Sequence, residues 1–281
     1  MRRALLCLAA LGLLAALSFC TVSPEAARKK LADRGIPFTP EEFARRAGSD
    51  PWSTLELFLA GGMDPNRKAD AGPGLEGVTA LMVASRSGRE DVVRRLREAG
   101  GQIDAETRQG NTALMHAAGG CQPDVIRFLL SAGADVNHAN RVGETALLWA
   151  IPASWPAQAP PCAAEGVNRL LAAGARVDER SRDGDTALHQ AIGRKQAALA
   201  RLLLRRGADP NLKGGRQNVS PLSHAVQADQ PGIVAALLTA GADPNEPGLL
   251  ESVSGGLRSN GDAVREALRQ GRVRAAAPAG N

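Results

Sequence analysis

Four histidines, four cysteines and the run Gly72-Pro73-Gly74-Leu75-Glu76-Gly77 are the residues of this chain whose types could carry chemistry. The glycine run spells G-x-G-x-x-G, which cradles a pyrophosphate where it joins a strand to a helix. No strand pattern precedes it here, so no cofactor site is assigned. No H-E-x-x-H or G-x-S-x-G pattern occurs, and the acidic residues show no recurrent pairing suited to acid–base work. The expectation is a protein that is not an enzyme, with no catalytic, cofactor-binding or metal-binding residues; the alternative from that class is an enzyme with a site on the loop 151–162.

What these residues do depends on the elements that carry them. The 281 residues are 44% hydrophobic but only 3% aromatic, with no Tyr, so the apolar material is mostly Ala, Leu and Val. That favours helices packed closely through small residues over a β-sandwich. The net charge of +5 falls to +3 without Arg2 and Arg3, and no basic run exceeds three residues. With few aromatic rings for stacking, nucleic acid is not an expected partner.

Met1-Arg2-Arg3 followed by the sixteen uncharged residues Ala4 to Phe19 has the length and charge order of a signal peptide, expected at 1–20. The apolar run is shorter than the roughly 20 residues of a spanning helix. Leu17-Ser18-Phe19-Cys20 resembles a bacterial lipobox, which would make Cys20 a lipidation site; Phe19 departs from the small residue usual there, and ordinary cleavage near Ser18 or Cys20 is the alternative. The chain is thus expected in the periplasm or tethered to the outer membrane, its one membrane contact a lipid anchor at Cys20; secretion is the other destination.

Self-similarity decides the fold. Thr79-Ala80-Leu81, Thr112-Ala113-Leu114, Thr145-Ala146-Leu147, Thr186-Ala187-Leu188 and Ser220-Pro221-Leu222 start 33, 33, 41 and 34 residues apart. Five residues after each Thr or Ser stands an Ala, followed by a second apolar run and then Gly100, Gly133, Gly174, Gly207 or Gly241. The hydroxyl can cap a first helix, the Ala admits a close neighbour, and the Gly takes the left-handed conformation that ends a second helix. Apolar pairs four apart, such as Val92 and Leu96 or Ile233 and Leu237, give that second helix one buried face.

These segments resemble ankyrin repeats, and Thr186-Ala187-Leu188-His189-Gln190-Ala191 is close to the Thr-Pro-Leu-His-x-Ala signature. The resemblance implies an all-α repeat solenoid with short β-hairpin loops, an ankyrin-repeat stack. It places an N-terminal capping helix in 21–38, repeats at 39–66, 75–104, 108–137, 141–178, 182–211 and 216–245, a degenerate capping repeat at 246–271 and a flexible tail at 272–281. Gly77 then falls where the repeat's hairpin wants a glycine. His116 and His224 share a position in repeats three apart, too far for one metal ion, and His189 resembles the family's structural histidine.

Ankyrin proteins usually bind another protein by a concave face made of hairpin tips and first helices. Carried over by position, the candidate partner-binding residues are Arg108, Gln109, Arg141, Glu144, Arg182, Asp183, Arg216 and Gln217. Four of them, Arg108, Arg141, Arg182 and Arg216, stand four residues before a repeat's Thr or Ser, either as a ladder for an acidic partner surface or as solvated turns. The Thr145 repeat carries eight extra residues, and its Pro-rich stretch Ile151 to Cys162 includes Trp155, a recognition finger or a tolerated decoration.

Of the cysteines, Cys7 leaves with the signal and Cys20 sits at the mature end. Cys121 and Cys162 fall in the turns between paired helices of successive repeats, and an oxidising compartment favours a bond between them; two free thiols are the alternative. The expected function is a non-catalytic interaction scaffold in a bacterial envelope. A secreted effector or inhibitor of a host or competitor protein is the alternative within binding.

Overall fold

The computed structural model describes residues 22–72, 75–151, 160–215, 218–247, 249 and 260–276. Two compact units divide the chain, Met1–Ala134 and Asp135–Asn281. The described part of the first holds α1 (Pro24–Asp33), α2 (Pro40–Ala47), α3 (Trp52–Ala60), β1 (Ala69–Asp70), β2 (Glu76–Val78), α4 (Ala80–Arg86), α5 (Glu90–Glu98), α6 (Ala113–Gly119) and α7 (Pro123–Ser131). The second holds α8 (Ala146–Trp149), α9 (Pro161–Ala172), α10 (Ala187–Gly193), α11 (Ala197–Arg205), α12 (Pro221–Gln227), α13 (Pro231–Thr239) and α14 (Gly261–Ala276).

Within each unit the repeats are antiparallel helix pairs, each stacked on the next, the all-α stack with short hairpins that the resemblance implies. The first helix opens on its Thr or Ser: the hydroxyls of Thr39, Thr79, Thr186 and Ser220 accept the N–H three residues on, at 3.0 to 3.4 Å. Thr112 and Thr145 depart from that expectation and make no side-chain cap. There the first turn rests on main-chain bonds, His116 N–H to the Thr112 carbonyl and Trp149 N–H to that of Thr145, both 3.1 Å.

The second helices bury their four-apart pairs, with Val92, Leu96, Val125, Leu129, Leu199, Leu203, Ile233 and Leu237 at most 1% exposed. Because one helix pair has apolar residues on more than one side, these side chains leave water only when the next pair stacks on them. Gly62, Gly100, Gly133, Gly174, Gly207 and Gly241 end the second helices at φ between 90° and 96°, where a Cβ would be strained.

Neighbouring pairs are pinned by one recurring side chain. Asn66, Asn137 and Asn211 each donate to a glycine carbonyl of the next repeat at 3.0 to 3.1 Å and accept the N–H two residues beyond it at 2.7 to 3.0 Å. First helices approach closely as well: a Cβ on Gly120 would stand 2.3 Å from the Arg86 carbonyl oxygen.

Three features differ from the sequence reading. A short strand does precede the glycine run, since β1 pairs antiparallel with β2 in the register Ala69 to Val78. Gly77, at φ 72, is part of β2, so the described part of the run closes a hairpin and does not lead from strand to helix. Pro73 and Gly74 lie outside the described residues. The stretch 151–162 is not loop throughout: α9 starts at Pro161 and includes Cys162, because proline fits the first turn of a helix, whose N–H is unused. At its other side α8 has only four residues, since Pro152 can neither donate the next helical bond nor tolerate a helical residue before it.

The last helix also runs further than 271. Gly271 lies inside α14 against Leu238 of α13, and the good helix formers that follow carry the turn pattern to Ala276.

Candidate functional site

The residues expected to meet a partner lie on the turns before each first helix. In the first unit, Arg108 and Gln109 are exposed, and the Arg108 guanidinium reaches the Asp70 carboxylate at 3.0 Å across neighbouring hairpins. With side-chain exposures of 69% and 50%, that pair is solvated and contributes at most about 1 kcal/mol. In the second unit Arg141, Arg182 and Asp183 are exposed. Arg182 spans the two turns, its guanidinium donating to the Arg141 carbonyl and its N–H to the Val142 carbonyl at 2.9 Å. Val142 itself is 45% exposed at the tip.

Glu144 is half-buried and occupied within the fold. Its Oε2 accepts from Asn140 Nδ2 at 3.1 Å and from the Trp149 indole N–H at 2.9 Å. Trp155, Arg216, Gln217 and Cys20 lie outside the described residues. Cys121 sits at φ 59 in the turn between α6 and α7 of the first unit, and Cys162 in the first turn of α9 in the second.

The structure brings together residues that sequence spacing had kept apart. His189 on α10 and His224 on α12 stack with ring centroids 6.3 Å apart and an interplanar angle of 26°. Comparing His116 with His224 missed this, because the contact joins the fourth position of one TALH-type segment to the fifth position of the next. His189 Nε2 lies 3.2 Å from the Val219 carbonyl and Nδ1 lies 2.9 Å from the Thr186 hydroxyl. A carbonyl only accepts, so Nε2 carries the proton and the hydroxyl donates to Nδ1. Burial holds both rings below the usual histidine range, and it pushes His116, helped by the Arg86 charge, to about 4.

Beside this pair opens a cleft of about 270 Å³, lined by Asp185, Gly214, Gly215, Val219 and Gln227 as well as the two rings. Among the described residues, no group of three or more His, Cys, Asp or Glu is placed to hold a metal ion. No helix among them is long and apolar enough to cross a membrane.

A repeated helix pair, a positive-φ glycine after each second helix and asparagines linking successive turns form one architecture, and the family model for ankyrin repeats (3 copies) matches it over residues 43–140 and 159–247. The chain belongs to the ankyrin-repeat family. An ankyrin repeat domain from Acinetobacter baumannii AYE, solved at 1.00 Å resolution, is 29% identical, with a TM-score of 0.58 over 72% of this chain and 98% of that one. None of the curated proteins matches the chain. Ankyrin repeats generally mediate protein–protein interaction, and the fold is typically a non-catalytic scaffold.

Proposed function

We propose that this ankyrin-repeat chain is a non-catalytic scaffold of a bacterial cell envelope that binds one other protein through its turns and first helices. The observation that carries the reading is the exposure of Arg108, Gln109, Arg141, Arg182 and Asp183 at repeat-equivalent turn positions, while the second helices spend their apolar faces on packing. Charged turns of this kind suit carboxylates on a partner through charge-assisted hydrogen bonds.

A photo-crosslinking residue placed at Gln109 or Asp183 tests it in envelope fractions. One protein captured from the turn positions, and not from the exposed outer position Arg201, supports the scaffold. Capture spread evenly over both, or turnover of a small molecule by the purified chain, overturns it. Recovery of the complex from the medium replaces the envelope with secretion and favours an effector.

Export rests on the basic head and apolar run of residues 1–19. Mass spectrometry of the native protein decides it: an intact Met1 to Phe19 refutes export, and a diacylated Cys20 establishes the anchor. In that oxidising compartment Cys121 and Cys162 form a disulfide, and finding both alkylatable without reductant refutes the bond.

A further inference from the structure

The cleft beside the histidine pair contains a carboxylate, that of Asp185, which no described residue pairs. Asp185 is half-buried, directly before the capping Thr186, and none of its described neighbours gives it a hydrogen bond or an ion pair. Its main-chain carbonyl is used, accepting Ser181 N–H at 3.0 Å, so the free capacity is in the side chain. On the His224 ring, which also lines the cleft, Nδ1 is buried and has no partner among the described residues. With the proton on the opposite nitrogen it too is an acceptor, since an unpaired buried N–H would cost more.

Two glycines keep the cleft open. A Cβ on Gly215 would stand 3.0 Å from Asp185 Oδ1, and one on Gly214 would come within 2.7 Å of His189 Cε1. The imidazoles are neutral because they are buried, so they neither repel a cation nor attract an anion at neutral pH. Among the described residues, the cations nearest in effect are Arg194, which donates to Gln190 Oε1 at 2.9 Å, and Arg180; neither forms an ion pair with Asp185.

We propose that this cleft is a pocket for one cationic side chain of the bound partner, an arginine or a lysine, with Asp185 as the contact. The proposal rests on the reading of the chain as a protein-binding scaffold and names one chemical feature of the partner. The cleft's volume of about 270 Å³ accommodates a guanidinium with part of its stem, and the Asp185 carboxylate on its wall is an acceptor that a multi-donor cation satisfies and an anion does not.

The test is an NMR titration of the purified chain with N-acetyl-arginine methylamide at constant ionic strength, reading the Gly215 amide and the His224 ring. Saturable shifts with a dissociation constant of about 1 to 10 mM are expected, the range for a single charged group. Asp185→Asn should weaken binding by about tenfold, with melting unchanged. Shifts that do not saturate, an equal response in Asp185→Asn, or stronger binding of N-acetyl-aspartate methylamide would overturn the pocket. If Asp185→Asn melts lower, Asp185→Glu serves as the second variant: its retained charge must bind arginine better than Asn, or the pocket is refuted. A chain that captures no partner protein yet saturates here loses the scaffold reading and keeps the cation pocket; a crosslinked partner without these shifts does the reverse.

Discussion

Asp178 accepts the main-chain N–H of Asp209 at 3.1 Å, the same reach to the next repeat that Asn66, Asn137 and Asn211 make, but as a carboxylate it has no donor for the Gly207 carbonyl. Burial raises its pKa despite the bond from Asp209 N–H, and the Asp209 charge adds to the rise. Asp178→Asn restores the missing donor and removes the charge. It should stabilise the chain by roughly 0.5–1.5 kcal/mol at neutral pH, as measured by urea unfolding. The gain should shrink as pH falls, because an acid whose folded pKa is raised costs stability only where it is ionised. A loss of stability at neutral pH would mean that the carboxylate has a role besides the link.

His116 gives the fold a pH dependence of the opposite sense. It is 1% exposed on α6, and burial depresses its pKa from the ordinary histidine value of 6.5 to about 4. The unfolded chain therefore binds the proton more readily. The contribution is complete above about pH 6.5 and is lost as pH falls toward 4, on the order of 3 kcal/mol in all. Urea unfolding from pH 7 to 4 should show this slope, and His116→Leu should flatten it. Parallel slopes in the two proteins would place the acid sensitivity elsewhere.

Residues before the second helices reach back to the previous repeat. Arg89 donates to the Asp50 carbonyl, Gln122 to the Arg86 carbonyl at 3.4 Å and Gln230 to the Ile192 carbonyl at 2.8 Å. Gln196 holds the same place behind the repeat with the long insertion, and its amide is fully buried with neither nitrogen nor oxygen partnered among the described residues. Gln230→Leu should cost about 0.5–1.5 kcal/mol by removing one hydrogen bond to the Ile192 carbonyl, which keeps the Lys195 N–H. Gln196→Leu should be neutral or stabilising, because it removes a buried polar group that has no partner. Thermal melts of the two variants give the comparison, and equal losses would contradict it.

Replacing Arg108, Arg141, Arg182 and Arg216 together by Ser should weaken capture of the partner and reduce its salt dependence. Melting should change little, since the Arg108 pair with Asp70 is solvated. Unaltered affinity would identify the arginines as solvated turns. A large fall in melting temperature would instead identify the Arg182 bond to the Arg141 carbonyl as structural.

The amino-acid sequence by itself determined the repeat and its phase. Thr79, Ala84, Val92, Leu96 and Gly100 act within one helix pair, through capping, period and left-handed φ, so their meaning is readable from spacing alone. It also put Arg108, Arg141 and Arg182 on turns, because they count back from the same Thr. Tertiary structure alone decided which side chains meet: the His189–His224 stack between repeats, the Trp149 bond that occupies Glu144 within one, and, among the described residues, the unpaired Asp185 carboxylate and Gln196 amide. Those depend on how far one layer lies from the next and on which side chain faces which. A period of 33 or 34 residues fixes equivalence between repeats, but contact across them is set by ångström-scale packing that no spacing encodes.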